Sequence, residues 1–231
     1  MLAKSTVGIL LMAMLSTQGQ CQKYSEEDFF AFDLAGSKRS EADLDFRQSP
    51  MPLLFGRTWT RGSIISANNV EYKNDSFFLN FDKLSQSLFV TSNYQRFYEI
   101  DRKEIKAVTF YRGDSALVFE HIYYIDNKHL FQVIVPNGNK YCLFKLIRSV
   151  LRKRELSSGM QYFAYVDVPL YYVIFPNKEY RKLRSLKRKS IAKIFGLLPE
   201  RGKVDNYLIA KGENYSGESY LKDLIAYLNK E

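Results

Sequence analysis

The sequence predicts an α+β protein: a largely antiparallel curved sheet or sandwich of about eight strands, followed by three short C-terminal helices. Three observations carry that expectation. Apolar residues recur at every second position through much of residues 58–175, as in Phe77, Leu79 and Phe81 set against Phe78, Asn80 and Asp82. The 17 Tyr and 17 Phe favour pleated strands over helices. Beyond residue 177 the apolar spacing changes to three and four, with Gly196 and Gly212 as stops.

Residues 1–21 read as an export signal that is removed. Lys4 supplies the positive start, Val7 to Leu15 the short apolar stretch, and Gly19 and Cys21 the small residues before a cut ahead of Gln22. That apolar stretch is about half of the ~20 residues a membrane-spanning helix needs. Lipidation at Cys21 is the alternative. The preceding Gln18, Gly19 and Gln20 lack the aliphatic residues such signals carry, so soluble export is the expectation.

Residues 22–52 form an N-terminal arm. It carries the acids Glu26, Glu27 and Asp28 beside Phe29, Phe30 and Phe32, and it is punctuated by Gly36, Ser37, Pro50 and Pro52. The expectation is a loosely ordered arm whose phenylalanines dock on the body.

Residues 53–177 form the β body. Phe77–Phe81 and Leu88–Val90 flank the polar loop Lys83–Gln86 as a hairpin. Val108 and Phe110 mark the next strand, and Phe119, His121, Tyr123 and Ile125 share one face of the strand after it. Phe131, Val133 and Val135 run through Pro136-Asn137-Gly138-Asn139 into Tyr141–Leu146. Asn-Gly accepts the positive φ of a tight hairpin turn. Ile147–Leu156 continues that strand as a basic segment, and Tyr162–Val166 pairs with Leu170–Phe175 across Pro169.

Residues 178–231 form the helical segment. The first helix places Leu183, Leu186, Ile191, Ile194 and Phe195 on one stripe before Gly196, and the second uses Val204, Tyr207 and Leu208 and closes at Gly212. In the third, Ser216 is the cap and Glu218 lies in the first turn. Its apolar face is Tyr220, Leu221, Leu224, Ile225 and Leu228. Helices this short are marginal alone, so they must pack on each other and on the sheet.

At this point the chain resembles a group of exported bacterial proteins with a β-rich body and a short Lys-rich helical tail, to which no activity is assigned. The resemblance rests on four pieces: Val133–Leu146, the paired tyrosines of Leu170–Phe175, Ser185–Gly196, and Asp223–Asn229 with its Tyr-Leu-Asn end. It covers most of the body. It implies the architecture and a place in the bacterial envelope, periplasmic or extracellular, and no catalytic or binding residues.

The candidate chemistry is narrow. Only Cys21 and Cys142 exist, so cleavage after Cys21 leaves one thiol, and Cys142 sits in an apolar strand where a buried, inert thiol is expected. The two histidines, His121 and His129, lack a metal-binding or hydrolytic pattern, and on a strand Glu120 and His121 point to opposite faces. Trp59 reads as a packing residue on a strand. Gly-rich phosphate loops are absent from the sequence, which argues against a nucleotide cofactor, and no other cofactor, metal or enzymatic activity is expected.

Charge is the strongest functional signal. From Lys140 to Lys203 sixteen Lys and Arg face four acids, whereas the chain outside that block and Lys4 has 17 basic and 21 acidic residues. Arg181, Lys182, Arg184, Lys187, Arg188 and Lys189, on a basic amphipathic helix, are expected to share a surface with Arg152 and Arg154. The implied partner is an anionic envelope polymer or lipid surface, and the implied role is non-enzymatic binding. The other reading is an aromatic-lined sheet that carries or senses an apolar ligand.

The export reading predicts an intact mass for the secreted material that begins at Gln22 without an acyl group or an internal disulfide. An acylated Cys21 overturns it.

Overall fold

The computed structural model describes residues 52–230 except 57, 74, 93, 95–97, 197–200 and 213–216. The export signal, residues 22–51 of the arm, and Ser216 as a cap lie outside the described residues. The elements run β1 (Gly62–Ser66), β2 (Glu71–Lys73), β3 (Phe78–Asp82), β4 (Ser87–Thr91), β5 (Tyr98–Ile100), β6 (Ile105–Arg112) and β7 (Ser115–His121). They continue with β8 (Leu130–Val135), β9 (Cys142–Leu146), β10 (Ser149–Glu155), β11 (Gln161–Asp167), β12 (Leu170–Ile174) and β13 (Tyr180–Leu183). Three helices follow: α1 (Arg188–Phe195), α2 (Arg201–Ala210) and α3 (Glu218–Asn229). The fold class is thus α+β. Eight strands form the main sheet in the order β13-β12-β9-β8-β7-β6-β1-β2, with a three-stranded sheet β3-β4-β5 and a two-stranded ribbon β10-β11.

Every strand pairing is antiparallel, and directly paired residues share a face. One line of partners crosses the main sheet from Tyr72 through Ile64, Val108, Phe119, Gln132, Lys145 and Tyr171 to Leu183. Its first half packs with Leu79, Phe81, Leu88 and Val90 of the small sheet. Its second half packs with Ile191, Phe195, Leu224 and Leu228 of the helices. The small sheet and the helices therefore cover the same face, side by side.

On the opposite face, Phe131, Cys142, Phe144, Leu170, Tyr172 and Ile174 form a third buried cluster with Ile122. Strand β12 is buried at all five positions, which is why its sequence LYYVI does not alternate.

Local chemistry sets several of these elements. Buried Asn80 holds the segment before β1: its amide donates to the carbonyls of Gly56 (3.2 Å) and Thr58 (3.1 Å). Gly62 must lack a side chain, because a Cβ there would lie 2.2 Å from the Thr109 oxygen of the neighbouring strand. Gly138 has φ +95° in the β8–β9 loop, and the Asn139 amide closes that loop on the Pro136 carbonyl at 3.0 Å.

Four expectations are corrected. Strand β7 stops at His121, because Ile125 and Asp126 donate their amides to the Ile122 carbonyl and Asp126 accepts the Lys128 amide. Tyr123 is therefore exposed and Ile125 only half-buried, while Ile122 is the residue that packs. The β8–β9 hairpin is not tight: a register shift between Val133 and Val135 and a loop from Pro136 to Tyr141 replace a two-residue turn. Residues 161–167 pair with β10, not with β12, which lies between β9 and β13.

The basic amphipathic helix expected to carry Arg181 to Lys189 forms only in part. Asn177 accepts the Glu179 amide, Lys178 takes φ +65°, and Phe175 donates to the Glu179 carbonyl at 2.9 Å. This turn sends Tyr180–Leu183 back along β12 as a strand, and only Arg188–Phe195 is helical. Leu183 and Leu186 match helical spacing by coincidence, since Leu183 belongs to a period of two.

Helix α3 is fastened at both ends. At its first turn Glu218 accepts hydrogen bonds from Lys145 (2.7 Å) and Tyr171 (2.8 Å). Burial and that carboxylate push the Tyr171 hydroxyl far above its ordinary range, so it stays a donor. At the other end the Asn229 side chain accepts from the Tyr141 amide (2.7 Å) and donates to the Tyr141 carbonyl (2.8 Å), completing backbone bonds as a strand partner would. Between them Tyr220, Leu221, Leu224, Ile225 and Leu228 are at most 3% exposed. At about 2 kcal/mol each, their burial contributes on the order of 10 kcal/mol before entropic costs.

Asn229→Ala removes both bonds to Tyr141 and should cost about 2 kcal/mol, read as a lower urea midpoint with an unchanged m-value. An unchanged midpoint would mean that the clamp contributes nothing.

Candidate anion-binding surface

The structure distributes the eight basic residues named from the sequence over three places. Arg181, Lys182 and Arg184 come together at and just beyond β13. With Leu183, Ser185, Ser190, Lys193 and Ile194 they line an open hollow of about 610 Å³. Lys187, Arg188 and Lys189 stand at the start of α1, where Lys187 occupies the cap position. Arg152 and Arg154 lie on the ribbon, opposite Ala164 and Tyr162, and do not line the hollow. The expected single surface shared by all eight does not follow from their placement, because the ribbon is a separate element from the β13–α1 corner.

Within the hollow each cation is held differently. Arg181 points to the helix-covered side, where its guanidinium donates to the Ile194 carbonyl and lies 5.1 Å from the Phe175 ring centre. It is therefore a fixed charge that ties β13 to α1. Lys182 points to the other side, with its ammonium 5.7 Å from the Tyr172 ring centre. Arg184 is exposed, and its charge reaches the Tyr172 hydroxyl. Burial raises that hydroxyl's pKa and the Asp126 carboxylate adds to the rise, while Arg148 and Arg184 counter it. None of Lys182, Arg184, Lys187, Arg188, Lys189 and Lys193 makes a salt bridge to a described residue.

Lys193 and Arg148 belong to this surface, although neither is among the eight residues expected from the sequence to form it. Lys193 lines the hollow from α1, and Arg148 acts on Tyr172 from the segment between β9 and β10. Arg148 and Arg184 act on the same tyrosine only because β12 pairs with both β9 and β13. No spacing in the sequence encodes that pairing.

The other candidates take structural places. Cys142 is buried with its thiol 3.5 Å from the Asn139 carbonyl, and burial pushes its pKa up, so it is an inert packing group. Glu120 pairs with Phe131 on one face, while His121 pairs with Leu130 on the other. His121 stacks on Tyr123 and meets the Arg102 carbonyl at 3.0 Å through Nε2. His129 meets Asp126 at 2.6 Å. Among the described residues no group of three or more His, Cys, Asp and Glu is placed to hold a metal ion.

Trp59 lies outside the named strands, contrary to its expected strand position, and with Phe55 and Tyr111 it lines a second hollow of about 420 Å³. Phenylalanines of the two sheets pack on one another. Phe119 lies 5.8 Å from Phe81 and 5.5 Å from Phe110. No family model, curated protein or solved structure matches this chain.

His121 has a consequence for stability. Burial lowers its pKa first and the Arg102 charge lowers it further, against the Arg102 and His129 carbonyls and the Asp126 carboxylate, which raise it. A folded pKa below 6.5 means that the unfolded chain binds the proton more readily. The contribution is fully present above the unfolded value and is lost as pH falls below it through the folded value. The melting temperature should fall more steeply below pH 6.5 in the wild type than in His121→Gln, and parallel curves would refute this.

Proposed function

We propose that this chain is an exported, non-enzymatic binding or structural component of a bacterial cell envelope that contacts an anionic surface through the β13–α1 corner. The observation that supports it is the grouping of Arg181, Lys182, Arg184 and Lys193 around one hollow whose lining contains two serines and no carboxylate. Four like charges around one depression repel each other. An anion seated among them removes that repulsion and gains hydrogen bonds from guanidinium, ammonium and hydroxyl donors. The start of α1 adds partial positive charge, since its first turn carries no acid and Lys187 offers no side-chain cap.

The exposed Lys187 and Lys189 extend the positive field from the hollow along the helix start. Arg181 differs from the other three, because its bond to Ile194 spends part of its donor capacity on the fold. Lys182, Arg184 and Lys193 are therefore the residues to which the anion contacts are assigned.

Reversing these three to Glu should abolish binding to vesicles rich in anionic phospholipid and to soluble polyanions, with the circular dichroism spectrum and melting temperature retained. Wild-type binding should weaken as salt rises, because exposed charges are screened beyond about 10 Å at 0.1 M ionic strength. Binding that survives the triple reversal, or that is absent from the wild type at low salt, refutes the proposal.

A further inference from the structure

The β10–β11 ribbon is the part of the fold whose apolar residues lack cover. Its two strands pair only with each other, and it lies outside all three buried clusters. Leu151 and Phe163 are on one face and are 54% and 68% exposed. Tyr162 on the opposite face and Met160 at the tip are 44% and 64% exposed. A two-stranded ribbon is marginal in water unless an apolar face is covered. Arg152, Lys153 and Arg154 make its first strand strongly basic, so a second copy of the same ribbon would meet it with like charge.

The geometry points to an occupant within the chain: the acidic, aromatic segment Glu26–Asp33 docks on the ribbon. Phe29, Phe30 and Phe32 would cover Leu151 and Phe163, and Glu26, Glu27 and Asp28 would face Lys153, which shares that face through its pairing with Phe163. Two facts favour this segment.

The first is charge. Glu26 to Asp33 holds four acids, three phenylalanines and no basic residue, the complement of the ribbon.

The second is where the N-terminal segment joins the described fold. The Pro52 carbonyl accepts the Lys83 amide at 3.2 Å, and the Lys83 carbonyl accepts the amide of Ser149, the first residue of β10, at 3.0 Å. The Lys83 ammonium is 2.7 Å from the Asp167 carboxylate at the end of β11. The segment therefore enters at the ribbon's base. The residues between Asp33 and Pro52 extend to roughly 60 Å at most, against roughly 24 Å for a seven-residue strand, so reach is ample. A tether of this kind also holds the effective concentration near the millimolar range, enough to populate a weak contact. The docking does not depend on the anion-binding reading.

Disulfide trapping tests it. In full-length protein carrying Cys21→Ser, with Cys142 buried, Phe30→Cys and Phe163→Cys together should form an intramolecular disulfide under mild oxidation. A covalent dimer, which would indicate a second copy, or no disulfide at all would overturn the docking. Hydrogen exchange keeps the test clear of misfolding. Replacing Glu26, Glu27 and Asp28 by Lys should speed exchange of the ribbon amides by about tenfold while β8 and β9 keep their protection. Unchanged ribbon exchange in that variant, or ribbon protection that arises only when anionic vesicles are added, would equally overturn it.

Discussion

The centre of the main sheet is apolar on both faces, and the rest of the fold is arranged around that constraint. In β9 and β12 successive residues point to opposite sides, yet Cys142, Leu143, Phe144, Leu170, Tyr171, Tyr172, Val173 and Ile174 are all buried. One face requires the helices. The other takes Ile122, which is available only because β7 ends early and the chain turns at Ile122–Asp126. Without a disulfide among the described residues, this double burial and the Phe81–Phe110–Phe119 packing beneath the small sheet are the main sources of stability.

Helix α3 shows how a short helix is made secure. Its intrinsic stability is small at this length, so its position is set by contacts with the sheet. Its apolar stripe provides attraction without direction. Direction comes from the polar ends: Glu218 is shared by Lys145 and Tyr171, and Asn229 pairs with the Tyr141 backbone. The Tyr-Leu-Asn end of the chain thereby has a physical role, in which the Asn side chain supplies the backbone partner that the loop before β9 lacks.

The basic block is divided by the same topology. Ion pairs anchor elements where cations meet acids, as Lys83 does with Asp167 and Lys145 with Glu218. Burial works against the Asp167 charge, but the Lys83 and Ser149 hydrogen bonds outweigh it and hold that carboxyl below its ordinary range. At the β13–α1 corner no described acid performs this function. Arg181 is turned inward to Phe175 and Ile194, whereas Lys182 and Arg184 are left facing solvent beside Tyr172.

The sequence by itself determined the elements whose signals are local. The β3–β4 hairpin with its Lys83–Gln86 loop, the α3 stripe, the second helix closed by Gly212 and the burial of Cys142 all follow from periodicity and turn chemistry. Only the tertiary structure decided which strands became partners. β11 pairs with β10 while β12 lies between β9 and β13, and Tyr180–Leu183 is a strand because the Asn177–Lys178 turn returns it to β12. The candidate site followed the same division. Its residue types were legible as a basic run, but the division of that run between a strand, Tyr180–Leu183, and a helix, Arg188–Phe195, was not. Periodicity reports which side of an element is apolar. It carries no information about which other element that side will meet.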